Sequence, residues 1–181
     1  MKHLIYILLL ISISSFSQSK YYTKVGLVAF EASVPSFEEV KAKNTSTTAI
    51  LNTENGEFAA LLLVKGFRFK NALMEEHFNE NYAESDTYPK AIFKGKIVGF
   101  SSEELNQNSK HLSFNGELTF HGISKKLESI SIDVKRIGNI IYIKGHFEAN
   151  ASDYEIKIPK IVRNKVSEAI KVSFEFELNQ K

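Results

Sequence analysis

Residues 71–95, NALMEEHFNENYAESDTYPKAIFKG, change their hydrophobic period partway along. From Leu73 to Tyr82 the spacing is helical. On a 100° wheel Leu73, Met74, His77, Phe78 and Tyr82 fall within one half, and Glu75, Glu76, Asn79 and Glu80 fill the other. Asn71 stands at the N-cap position, and the two glutamates lie near the positive end of the helix dipole. A helix this short is marginal in water, so its apolar face has to rest on something larger. Tyr88-Pro89 then stops the helix, and Ala91 to Phe100 (AIFKGKIVGF) reads as a strand that Gly95 and Gly99 allow to bend. One helix running directly into a strand is the exception here.

On either side of it the period is two. Upstream, Tyr21–Ser33 (YYTKVGLVAFEAS) is a strand that Pro35 ends. Phe37–Lys43 is polar, either a turn of helix or an irregular crossing. Thr47–Leu51 starts a second strand, and Asn55-Gly56 signals a two-residue hairpin. Phe58–Val64 is apolar on both faces and central, and alternation resumes over Lys65–Phe69 after a glycine that marks a bulge. Downstream, Ser101–Ser109 is a polar loop. Leu112, Phe114, Gly116, Leu118 and Phe120 then alternate with polar residues up to a turn at His121-Gly122. Ile130, Ile132 and Val134 continue to a turn at Gly138-Asn139, and Ile141, Ile143, Gly145, Phe147 and Ala149 follow. Lys157–Val166 is a crossing, and Ile170, Val172, Phe174, Phe176 and Leu178 form the last inward row. Roughly eight strands at hairpin spacing, with no βα alternation, give an all-β fold: a single antiparallel barrel, whose closure would remove the exposed edges, or a barrel-like sandwich.

Composition narrows the function. A net charge of +2 supplies no basic stripe for nucleic acid. The absence of Cys removes disulfides, thiolate nucleophiles and thiolate metal sites. The 14 phenylalanines, with 7 tyrosines and no tryptophan, serve equally to pack a core or to enclose an apolar ligand. Lys2, the apolar run Leu4–Ile13 and the small-x-small Ser15-Phe16-Ser17 have the form of a signal peptide; ten apolar residues fall short of the roughly 20 that span a bilayer. The expected division is residues 1–17 as signal peptide, cleaved after Ser17, and 18–181 as one barrel domain, in the periplasm or outside a bacterial cell.

Several motifs resemble the YceI-like family of polyisoprenoid-binding proteins. They are Met74-Glu75-Glu76-His77-Phe78, Tyr82, Ser85-Asp86 and Tyr88-Pro89-Lys90-Ala91-x-Phe93-x-Gly95. Farther along come Gly116-Glu117-Leu118-Thr119-Phe120-His121-Gly122-Ile123-Ser124-Lys125, Asp153-Tyr154-Glu155-Ile156 and Ile158-Pro159. The likeness runs from about Lys20 to Leu178. It implies an eight-stranded lipocalin-like barrel with the short helix packed at one end, exported, and holding a long isoprenoid such as a quinone or polyprenyl tail. One departure is Glu155, where the family tends to have glycine; a positive φ there disfavours a side chain.

An eight-stranded barrel is wide enough either to be filled by its own side chains or to hold one small ligand. For a prenyl chain each buried CH₂ contributes about 0.8 kcal/mol, with no charged contact needed. The candidate ligand-lining residues are Leu62, Phe69, Leu73, Met74, His77, Phe78, Phe93, Ile97, Phe114, Phe147, Val172 and Phe174. Met74 adapts to irregular ligands, and His77, the polar residue in the apolar arc, could meet a head group or be held structurally. No catalytic residues, metal ligands or cofactor are expected beyond the bound lipid. His77 and Glu80 are one helical turn apart without a third ligand, and no G-x-S-x-G, Cys-His or H-E-x-x-H pattern occurs. The expected role is an exported carrier or store for an isoprenoid lipid, and transient membrane contact is compatible with it. Two other readings stay open: a secreted interaction protein with a filled barrel, and a barrel enzyme using Asp86, His77 or Asp153. Oligomeric state is not legible.

Overall fold

The computed structural model describes residues 20–35 and 37–181, so the expected signal peptide and its cleavage after Ser17 lie outside the described residues. The strands are β1 (Lys20–Ser33), β2 (Lys41–Asn52), β3 (Glu57–Leu63), the two-residue β4 (Arg68–Phe69), β5 (Lys90–Val98), β6 (Lys110–Phe120), β7 (Ile123–Ile137), β8 (Ile140–Asn150) and β9 (Val166–Gln180). The helix α1 covers Ala72–His77 and runs on as a π turn, Phe78–Tyr82. Neighbours follow the order β1-β9-β8-β7-β6-β5-β3-β2, and β1 pairs with β2 to close the ring. With β4 set aside, this is a closed antiparallel barrel of eight strands with one short helix.

Three local readings of the sequence need correction. The second strand begins at Lys41, not Thr47, so the last three residues of the supposed polar crossing, Lys41–Lys43, are already strand. The alternation there is hidden by a polar residue facing inward. Asn44 is fully buried, donates to Leu63 O (2.9 Å) and accepts from the Ser46 amide (2.9 Å), beside a register shift against β1. The hairpin at Asn55-Gly56 is a four-residue turn, because Gly56 alone takes positive φ and its amide bonds Asn52 O at 2.9 Å. Lys65–Phe69 does not alternate as one strand: Val64–Gly66 is a 3₁₀ turn that buries Val64 and Phe67, and only Arg68–Phe69 pairs, with β2.

The bend expected in β5 comes from a pair of facing glycines. Gly95 lies opposite Gly116 of β6, and a Cβ on Gly95 would sit 2.4 Å from Asn115 O and 2.8 Å from Gly116 Cα. The two backbones therefore approach too closely for any side chain.

The barrel interior falls into two halves. At the end where β1 begins and β9 finishes, Tyr21, Leu51, Ile97, Phe114, Ile132, Val134, Ile141, Ile143, Phe176 and Leu178 form one packed cluster. At the opposite end the same inward rows continue as Leu118, Phe120, Phe147, Ala149, Ile170 and Val172, all only half-buried. Alternation is unchanged between the halves; filling is not.

Candidate functional site

The half-buried end encloses a cavity of about 600 Å³, within the range of about 300–1,000 Å³ that holds a single small ligand. Twelve of the 14 phenylalanines line it. Of the other two, Phe100 packs against the filled core and Phe16 lies outside the described residues. Two aromatic groups bound the space. The floor is Phe58, Phe93, Phe114, Phe174 and Phe176, with centroids 4.7 Å apart for Phe58–Phe114 and 5.6 Å for Phe174–Phe176. The side wall joins Phe30 to Phe67, Phe69 and Phe78 at 5.1, 5.7 and 5.2 Å.

That wall is how the marginal helix is held. Phe78 packs on Phe69 at 5.2 Å, and Met74, His77 and Tyr82 also line the cavity. The Asn71 side chain accepts from the Leu73 amide (2.9 Å), which caps the first turn. The Glu75 carboxylate accepts from Arg68 Nη1 (2.9 Å) and from the Phe69 amide (3.1 Å), fastening α1 to β4. His77 is exposed at the mouth, and its side chain forms no hydrogen bond with a described residue.

Three segments rim the mouth: the β1–β2 loop through Phe37 and Glu38, the helix, and the β8–β9 crossing through Tyr154, Ile156, Ile158, Val162 and Lys165. His121 ties the crossing to the turn that follows the helix. Its side chain is buried, with Nδ1 2.9 Å from Tyr154 O, Nε2 3.5 Å from a Glu84 oxygen and the Tyr88 ring 4.5 Å away edge-on. Burial, with the Asp153 charge adding to it, pushes the Tyr154 phenol up to about 12. Glu155 has φ 58, so the turn keeps the positive φ of a glycine while carrying a side chain.

Of the twelve candidate lining residues, Leu62, Phe69, Met74, His77, Phe78, Phe93, Phe114, Phe147, Val172 and Phe174 face this one cavity. Leu73 and Ile97 do not. Leu73 is 56% exposed, because the stripe that faces inward is Met74, Phe78 and Tyr82 and Leu73 lies about 100° to its side. Ile97 is buried in the filled half, two residues past the Gly95 bend. The β8–β9 crossing also lines the cavity, which strand alternation alone does not indicate; its signal in the sequence is Ile156, Ile158 and Val162 recurring among lysines. No group of three or more His, Asp or Glu that could hold a metal occurs among the described residues. Asp86 pairs with Lys65, and Asp153 accepts from Asn150 (3.2 Å); no bond joins either to His77.

Fold and cavity together define a class: closed antiparallel barrels, filled at one end and open to an apolar interior at the other. The chain belongs to the YceI-like domain family, whose model matches residues 17–178. Among solved structures it is similar to a polyisoprenoid binding domain from Saccharophagus degradans implicated in plant cell wall breakdown. That match has 14% identity and a TM-score of 0.79 and covers 91% of this chain and 99% of that one. It is also similar to Burkholderia cenocepacia BcnA (14%, TM-score 0.69, 84% and 95%) and to the Campylobacter jejuni YceI protein (15%, TM-score 0.65, 82% and 89%). Identities this low establish the shared fold alone. Comparison with curated proteins finds no match.

Proposed function

We propose that the protein is an exported carrier or store for a long isoprenoid lipid of quinone or polyprenyl type, held in the open half of the barrel. The observation that carries this reading is the phenylalanine-lined cavity of about 600 Å³. Its walls offer an apolar chain desolvation and dispersion contacts, about 0.8 kcal/mol per buried CH₂. Its polar residues, among them His77, Tyr82, Asn150 and Lys165, stand where a head group would emerge. The polyisoprenoid-binding role of the Saccharophagus domain supports the same class of ligand. Export is supported by the signal-peptide pattern of residues 1–17 and by a family match that begins only at residue 17. The role is binding, not catalysis.

The test is mass spectrometry of organic extracts from protein purified from its native host. An isoprenoid lipid that co-purifies, and that falls sharply in Ala149→Phe, is the expected result, since Ala149 lines the cavity and the larger ring fills it. Repeated extraction without any lipid would sink the carrier reading and favour a secreted interaction protein.

A further inference from the structure

We infer that the β8–β9 crossing is a docking lip that sets the barrel mouth against a bilayer surface rich in anionic phospholipid. The inference rests on the carrier reading above. Residues 157–165, KIPKIVRNK, hold Lys157, Lys160, Arg163 and Lys165 and no acidic residue. All four are exposed, and none forms an ion pair with a described residue. Among them stands Ile161, 84% exposed, the most exposed large apolar side chain of the described residues.

That exposure is built into the turn. After Pro159 the chain makes a 3₁₀ turn, Lys160–Val162, closed by Val162 N–H to Pro159 O (3.0 Å) and followed by Lys165 N–H to Val162 O (2.8 Å). The Arg163 side chain donates to Ile158 O at 3.4 Å. Ile158 is buried and Val162 lines the cavity, so the residue between them on the outer side is Ile161. One short segment thus lines the ligand space on its inner side and shows an apolar side chain among cations on its outer side. Apolar insertion combined with attraction to anionic headgroups is the chemistry of interfacial membrane binding.

Charge also decides which lip touches. The β1–β2 loop carries Glu38 and Glu39 and no cation, and the helix with its π turn carries Glu75, Glu76 and Glu80 and no Lys or Arg. Glu39 and Glu75 are paired with Lys41 and Arg68, which leaves Glu38, Glu76 and Glu80 unpaired among the described residues. The third lip sets four cations against Asp153 and Glu155, so an anionic surface favours the third. The barrel therefore approaches tilted, with the β8–β9 lip lowest and Val162 and Val166 of the cavity wall beside the lipid.

The experiment is flotation of the chain from residue 18 onward, which contains every strand of the barrel, with vesicles of phosphatidylcholine alone or mixed with phosphatidylglycerol. Each cation near an anionic surface is worth about fivefold in partitioning, so K160E/R163E should bind mixed vesicles at least about tenfold more weakly. Binding should also fall as salt is raised. Ile161→Ser should lose a few-fold while keeping the salt dependence, and K94E/K96E, an equal charge change on the exposed wall of β5, should bind as the parent does. Thermal melts check that each variant is folded. Equal binding to neutral and mixed vesicles, or equal loss in K94E/K96E, overturns the docking lip. Organic extraction of the same preparations reads the carrier function separately. Lipid in the barrel without vesicle binding removes the lip alone; vesicle binding with no lipid in any preparation removes the carrier reading alone.

Discussion

The two halves of the barrel are made by the same eight strands with the same alternation, yet one is solid and the other hollow. In the filled half inward side chains meet across the axis, and the turns that need positive φ there use Gly56, Gly99 and Gly138. In the hollow half they face a cavity, and the mouth takes positive φ at Glu84 (42°), His121 (50°) and Glu155 (58°) as well as at Gly122. The remaining such residue, Ser129 (56°), lies within β7 at its register shift against β6 and not in a turn. Non-glycine residues in this region cost of order 1–3 kcal/mol each and gather at ligand sites. The filled half thus carries the stability that the mouth gives up. Alternation says which side chains point inward; only their meeting across the axis says whether the interior is full.

The largest expected effect tests that division directly. Ile143 and Ile170 are inward isoleucines on adjacent strands, the first fully buried in the filled half and the second at the cavity wall. Ile143→Ala should cost about 2–5 kcal/mol, since it opens a void in packed surroundings. Ile170→Ala only enlarges a space already present and should cost about 1 kcal/mol, close to its partial transfer term. Denaturant unfolding gives both values, and equal losses would mean that the two halves are packed alike. Phe78→Asp comes next. It breaks the ring contacts that hold α1 on the wall and puts a carboxylate among Phe30, Phe67 and Phe69, for a loss of about 2 kcal/mol or more. Lipid recovered by extraction should fall with it. Unchanged melting and unchanged loading would show that the helix is not part of the wall.

Much of this was legible from residues alone. Strict alternation in β6, β8 and β9 marks the inward rows correctly, and Tyr88-Pro89 marks the start of β5 at Lys90, whereas the helix already ends at Tyr82, before the polar turn. The start of β2 was hidden because buried Asn44 satisfies its amide on Leu63 O, a bond between residues 19 apart that no local pattern displays. Leu73 and Ile97 miss the cavity for a related reason. An apolar side chain on the inward or helix-facing side carries no mark of which half of the barrel it will occupy, or of how wide the buried stripe is. The cavity depends on distances between rows, and those are tertiary.

Two smaller effects probe the mouth. The Tyr154 phenol is held near 12 by burial and by Asp153, above its ordinary 10.0, so the folded state favours the protonated ring. That contribution is fully present below about 10 and is lost as pH rises toward 12. The parent should therefore lose stability over this window more steeply than Tyr154→Phe, which keeps the ring beside Phe120 (5.9 Å) and removes the titration. Parallel curves would place the phenol in solvent.

The smallest effect is a gain, at a non-glycine residue of the mouth that takes positive φ. Glu155 sits at φ 58, its side chain is exposed, and its amide bonds Ser152 O at 3.1 Å, a contact that glycine would keep. Glycine relieves about 1–2 kcal/mol of left-handed strain and loses about 0.4–1 kcal/mol through the greater freedom of the unfolded chain. Glu155→Gly should therefore stabilise by up to about 1.5 kcal/mol, and each kcal/mol raises the melting temperature by about 2–4 °C for a domain of this size. The same change introduced at Lys24, on extended β1, lacks strain to relieve and should destabilise. If Glu155→Gly also destabilises, the mouth turn is not strained, and the contrast between a glycine-built closed end and a strained open end would fail at that residue.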